Sequence, residues 1–250
     1  MSGHSKWSTI KRKKGKADAE RGRMFTKLIK EITVAARQGG GGEIETNPRL
    51  RTAVATAKAA NMPQDNIKRA IQKGTSELPG TTYDEMTYEG YGPGGVAMYV
   101  EVLTDNKNRT VAEIRHIFAK YNGNLGENGC VAWMFDKQGI IQVKTDKCDE
   151  DTLMEIALDA GASDLSIEGD LYEIIAPWSD LENIRNAIET KSIPIASAEV
   201  TMVPQNTIKL DARQAETMLK MYELLEEHDD VQKVYGNFDI DDDIMEKLAG

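Results

Sequence analysis

From Asp18 to Gln38 apolar side chains return at helical spacing. Phe25, Leu28, Ile29, Ile32 and Ala36 fall on one face, at i, i+3, i+4, i+7 and i+11. Gly39 to Gly42 ends that helix and reads as a flexible connection. Asn47-Pro48 pairs an N-cap residue with a proline at the first helical position. The helix it opens runs to about Asn61, with Leu50, Ala53, Val54 and Ala57 inward. Met62-Pro63 breaks it and starts another, with Ile67, Ala70 and Ile71 inward and Gly74 as the stop. Residues 1–16 have no apolar period and read as an arm. The pattern predicts a small all-helical domain that ends near Leu78-Pro79-Gly80.

The period then changes. Tyr83, Met86 and Tyr88 sit in a strand-like stretch, and Val96, Met98, Val100 and Val102 alternate as in a strand with one buried face. A helix is expected over Asn108–Tyr121, capped by Asn108, then a strand over Val131–Phe135. Six elements follow: strand Ile140–Lys144, helix Glu150–Ala160, strands Asp164–Ile167 and Leu171–Ile175, helix Ser179–Thr190 and strand Ala196–Met202. That is the β-α-β-β-α-β order of a ferredoxin-like unit. Beyond Pro204 come a short strand Thr207–Leu210, a helix Ala212–Glu227 and a strand Val231–Phe238, which complete a second split unit with Val96–Phe135. The acidic stretch Asp239–Asp243 reads as a solvated tail. It lacks the central glycine of a calcium loop.

The fold class is therefore α+β and multidomain. A basic arm and helical domain span 1–80. An α+β domain is formed by 81–137 plus 204–250. A ferredoxin-like α+β domain, 138–203, is inserted in it.

Charge changes the picture. The chain of 250 residues has a net charge of −10, which by itself argues against nucleic acid. Residues 1–77, however, hold 17 Lys and Arg against 7 Asp and Glu, while 78–250 hold 14 against 34. Such a split points to a partner of one charge, most often a phosphate backbone. The densest part is the arm, with Lys6, Lys11, Arg12, Lys13, Lys14 and Lys16, followed by Arg21 and Arg23. Within it Trp7 can stack on a base or anchor the arm on the helices, and His4 can donate to a phosphate. No apolar run is long enough to span a bilayer, and the N-terminus lacks the apolar region of a secretory signal.

Candidate chemistry is sparse. Cys130 and Cys148 form no CxxC, so a disulfide scaffold and a thiolate zinc site fall away, and free thiols fit the cytoplasm. His4, His116 and His228 are scattered. GxSxG and the phosphate loop are absent. Gly90 to Gly95 matches GxGxxG formally, but a strand rather than a helix follows, so it reads as a turn. Asp105 to Thr110 reads as loop and cap, or as a polar loop that touches a phosphate through Arg109. No catalytic residue, cofactor, metal or small-molecule substrate is implied, and nothing demands more than a monomer. No helix-turn-helix with a second helix rich in Arg, Asn or Gln is evident in the sequence, nor a zinc finger or basic zipper.

Several stretches carry a resemblance. They are Gly3-His4-Ser5-Lys6-Trp7, Arg21-Gly22-Arg23-Met24-Phe25, Asn47-Pro48-Arg49-Leu50-Arg51, Asn61-Met62-Pro63, Tyr88 through Gly95, Thr104 through Thr110, Asn124-Leu125-Gly126 and Trp133-Met134-Phe135. Together they resemble YebC-type proteins, which are related to the mitochondrial translational activator of cytochrome c oxidase. The resemblance covers nearly the whole chain. It implies three domains, one α+β domain inserted in the other, and either a DNA-binding transcriptional regulator or a translation factor acting at the ribosome. The sequence alone favours a non-enzymatic, RNA- or ribosome-associated factor, because a cationic arm grips phosphates without reading bases. The alternatives are a DNA-binding transcriptional regulator and a protein-interaction module.

Overall fold

The computed structural model describes residues 17–39 and 41–249. The arm, with His4, Lys6, Trp7, Lys11, Arg12, Lys13, Lys14 and Lys16, lies outside the described residues. The described chain divides into two compact units, one formed by 133–207 and one by the remainder.

Three helices open the fold: α1 (Ala17–Gln38), α2 (Pro48–Ala59) and α3 (Gln64–Gly74). The predicted cap of α2 is present. The Asn47 side-chain oxygen accepts from Leu50 N at 3.0 Å. Its amide donates to the carbonyls of Ala35 and Gly41 at 2.8 and 3.1 Å, so the last turn of α1 and the glycine segment are tied to one buried side chain. Ile32, Leu50, Val54 and Ile67 are buried where the helices meet. Gly74 sits against the Thr33 carbonyl, where any Cβ would collide, and the Thr33 hydroxyl donates to Ala70 O at 3.2 Å. Backbone approach this close explains glycine at the end of α3.

The chain then forms an antiparallel hairpin of β1 (Asp84–Tyr91) and β2 (Ala97–Thr104). The turn at Pro93–Gly95 puts Gly94 at φ 73° and Gly95 at φ 79°, so the glycine-rich run serves the turn and holds no nucleotide fingerprint. Helix α4 (Lys107–Lys120) follows, and β3 (Asn124–Leu125) pairs with β1. Asn106, not Asn108, is the cap: its side chain accepts from Arg109 N at 3.1 Å. The expected strand Val131–Phe135 is absent. The N–H groups of Val131 and Ala132 both donate to the buried carboxylate of Glu89 at 2.8 Å, which takes the place of a strand partner, and Ala132–Met134 is a 3-10 turn.

The unit 133–207 contains β4 (Phe135–Lys144), α5 (Glu150–Asp159), β5 (Asp164–Glu168), β6 (Leu171–Pro177), α6 (Leu181–Thr190) and β7 (Ile195–Pro204). Its sheet order, β5-β6-β4-β7 with every neighbour antiparallel, is that of a ferredoxin-like split unit. Ile141, Val143, Leu153, Ile174, Ile184 and Ile188 fill the core under the two helices.

The chain returns to the other unit with β8 (Ile208–Lys209), α7 (Ala212–Glu227), β9 (Val231–Gly236), β10 (Phe238–Asp239) and α8 (Asp242–Ala249). Strand β9 pairs with β2, giving the order β3-β1-β2-β9. The strand near Thr207 does not join that sheet. It pairs in parallel with β10, so the second domain is not a second split unit of the same topology. Met98, Val100, Phe118, Met218, Tyr222 and Val234 form its core. Strand β2 is the middle of this sheet, and Ala97 and Leu103 are buried beside the alternating set. The acidic tail is also not a solvated tail. Ile240 and Met245 are buried, and α8 seals the core.

Candidate nucleic-acid interface

The described part of the basic region sorts into two groups of cations. The first group is engaged by carboxylates. Arg23, on α1, reaches Glu227 at 3.2 Å. Arg49 forms paired hydrogen bonds to Glu31 and to Glu85 at 2.7–3.1 Å. Burial works against its charge, yet those hydrogen bonds outweigh it and raise its pKa above the usual arginine value. The second group is exposed. Arg37, Lys58, Lys68, Arg69 and Lys73 form no ion pair among the described residues. Arg21 is exposed on α1 as well.

Arg109 belongs to the first group. Its guanidinium is 2.7 Å from Asp230 and 2.8 Å from Asp105. Asp230 is a buried node: it also accepts from Lys30 Nζ at 2.7 Å, from Thr110 Oγ1 at 2.7 Å and from Thr104 Oγ1 at 3.1 Å. Lys30 donates in addition to Asp229 O at 2.9 Å. Burial pushes the Asp230 pKa up, but the hydrogen bonds from Lys30, Arg109 and Thr110 win and hold it well below the carboxylate range. The loop Thr104–Thr110 thus joins α1 of the helical domain to the α7–β9 corner. The sequence left this loop as cap chemistry or as a phosphate contact through Arg109; in the structure Arg109 pairs with two carboxylates. Sequence reasoning missed Lys30 and Asp230. Lys30 lies off the apolar face read from the sequence, so no local pattern marked it.

Glu89 is a second buried carboxylate. It accepts from the N–H groups of Gly129, Val131 and Ala132 at 2.7–2.8 Å. Burial opposes its ionisation, and those three donors outweigh burial and lower its pKa. Its chemistry is spent on holding the loop. Among the described residues no group of three His, Cys, Asp or Glu side chains is placed to hold a metal ion.

The unit 133–207 offers little to a polyanion. It holds 5 Lys and Arg against 15 Asp and Glu. On its sheet the residues alternating with the core set include Gln138, Ile140, Gln142, Glu173 and Glu199. Gln142 bonds Glu173 at 3.2 Å and Ser197 at 2.9 Å, so this face is knit by polar side chains and carries no aromatic base platform. Exposed cations without an ion pair among the described residues occur in the helical domain and elsewhere as well, among them Arg115, Lys144, Lys191 and Arg213, but only in the first 77 residues do basic side chains outnumber acidic ones.

Helices α2 and α3 stand where the sequence pattern placed them. Four residues, 60–63, join them, with Asn61 in the left-handed region at φ 57° and Met62 buried in the turn. The second helix carries Gln64, Asn66, Lys68, Arg69, Gln72 and Lys73. The break and restart expected at Met62-Pro63 is this turn between two helices.

Comparison with known proteins agrees with this architecture. The TACO1/YebC protein N-terminal domain matches residues 5–77, and the TACO1/YebC second and third domain matches residues 83–238. A probable transcriptional regulatory protein of Syntrophus aciditrophicus is 61% identical over 250 residues, all of both chains. One of Desulforapulum autotrophicum is 58% identical over 248 residues, 99% of this chain and 100% of that one. The crystal structure of a conserved hypothetical protein, Aq1575 from Aquifex aeolicus, superposes with a TM-score of 0.81 at 45% identity and covers 90% of this chain and 93% of that one. These relatives carry regulatory, not enzymatic, descriptions. With both halves of the family pattern matched in order along nearly the whole length, the chain belongs to the TACO1/YebC family.

Proposed function

We propose that this protein is a non-enzymatic, nucleic-acid-binding regulator of gene expression that holds its target through phosphates. The basic arm (Lys6, Lys11, Arg12, Lys13, Lys14, Lys16) with Arg21 supplies most of the affinity. Trp7 and His4 add contacts, and the helical domain adds its exposed cations. Arg109 and Arg23 are engaged by carboxylates of the fold. The carrying observation is the charge split, 17 basic against 7 acidic residues in the first 77, against an acidic remainder. The names of the relatives favour DNA and transcription as the setting. The cytoplasm suits two free cysteines.

A second reading, a translation factor on structured RNA, needs only phosphates and shape, which a cationic arm serves without base readout. A run of lysines and arginines neutralises phosphate equally well on either polymer. The test is salt-titrated binding of the full chain to random duplex DNA and to structured RNA. Changing Lys11, Arg12, Lys13 and Lys14 together to Ala should reduce the slope of log affinity against log salt by about 3 to 4 units. It should weaken all sequences alike and leave the melting temperature unchanged. An unchanged slope would reduce the arm to a solvated charge run.

A further inference from the structure

The side of α3 that faces away from the core has an order the charge argument does not use. Ile67, Ala70 and Gly74 point into the helical core. Asp65, Lys68, Arg69 and Gln72 lie opposite, at i, i+3, i+4 and i+7, and so form one stripe. Asp65, Lys68 and Arg69 are exposed and Gln72 is half-buried. None of the four side chains is engaged in a hydrogen bond or ion pair among the described residues. Helix α1 packs against both α2 and α3, which fixes the stripe on a three-helix frame. Three helices, the last two joined by a short turn, form a layout in which the third helix enters the major groove.

We propose that α3 is a recognition helix for duplex DNA and reads base edges through Lys68, Arg69 and Gln72. The proposal rests on the nucleic-acid-binding reading above and adds sequence preference to it. The side-chain chemistry is apt. Arg and Lys donate to guanine O6 and N7, Gln pairs with adenine N6 and N7, and Asp65 can accept from cytosine N4. Eleven residues of helix span about 16 Å, enough to cross a major groove about 12 Å wide. An A-form RNA major groove is too deep and narrow for the same approach, so the stripe fits duplex DNA. The N-terminal turn of α3 has no side-chain cap, and the N–H groups of Asn66 and Ile67 donate to Pro63 O at 3.0 and 3.3 Å.

The experiment is selection of the full chain on a random duplex library, followed by competition of selected against random duplex at fixed salt. The wild type should enrich a short motif that contains guanine. Arg69→Ala should lose about 5- to 150-fold of discrimination at one base pair. It should keep its melting temperature and most of its affinity for random duplex. Gln72→Ala, on the same face, should relax a different base pair, which guards against a folding defect in either variant alone. Salt-dependent but sequence-blind binding by the wild type would overturn the recognition helix and leave the general reading standing. A motif unchanged in both variants would overturn it too, and so would binding confined to structured RNA. Loss of binding to every nucleic acid would overturn both readings.

Discussion

At the scale of single residues, the buried carboxylate of Asp230 has the largest expected effect. Lys30, Arg109, Thr104 and Thr110 all converge on it, and its side chain is 4% exposed. Asp230→Ala would leave a buried ammonium and two hydroxyls without their carboxylate, with Asp229 O and Asn106 O as the remaining acceptors of Lys30 and Thr110. The expected cost is about 3–5 kcal/mol, read by urea denaturation at neutral pH. The pH dependence has a definite sign. The folded-state pKa is depressed, so the stabilisation is fully present above the unfolded value of about 3.9 and is lost as pH falls through the folded value. The wild type should therefore lose stability steeply below about pH 4, and Asp230→Asn should flatten that part of the curve. Equal acid slopes in the two proteins would mean that Asp230 is not the group that titrates. The motif Thr104–Thr110 was legible in the sequence as something special, but its purpose was not. Its partners Lys30 and Asp230 lie 74 residues before Thr104 and 120 residues after Thr110, and no local pattern announces so distant a pairing.

At the scale of elements, helix existence was readable and helix starts were less so. Asn47-Pro48 fixed the start of α2, because a cap and a first-position proline agree. The start of α4 offered two asparagines two residues apart, and periodicity could not choose between them. In the structure Asn106 caps, and Asn108 is an exposed first-turn residue. Asn106→Ala should cost about 1 kcal/mol, while Asn108→Ala should stay within about 0.5 kcal/mol of wild type. Thermal melts of the two variants would decide it, and a reversed order would contradict the cap assignment. Strand β3, of two residues, had no readable period, while β8 lies within the short strand expected over Thr207–Leu210. They exist because tertiary neighbours offer them a ladder, as β1 does for Asn124 and β10 does for Ile208. The same cause removed the expected strand at Val131, whose N–H is taken by Glu89.

At the scale of the molecule, the segment 133–207 is closed in a way that its surroundings are not. Every strand of its sheet comes from within it, and so do both helices over its core. The second domain depends on chain from both sides of the segment, since β2 has β1 on one side and β9, beginning at Val231, on the other. We expect a fragment of 133–207 to melt cooperatively by itself. A fragment cut to 138–203 should be less stable, because it discards Phe135, Asp136 and Lys137 with their register partners Pro204, Val203 and Met202. A fragment of 81–132 should not fold. It lacks β9, and without α7 its Met98 and Val100 have no Met218, Leu219 or Tyr222 to pack against. Calorimetry or denaturant titration of the three fragments tests this directly. A cooperative transition in 81–132 would break the dependence of the second domain on its C-terminal half. Failure of 133–207 to fold would mean that its sheet, complete in register, needs the rest of the chain for reasons its own core does not supply.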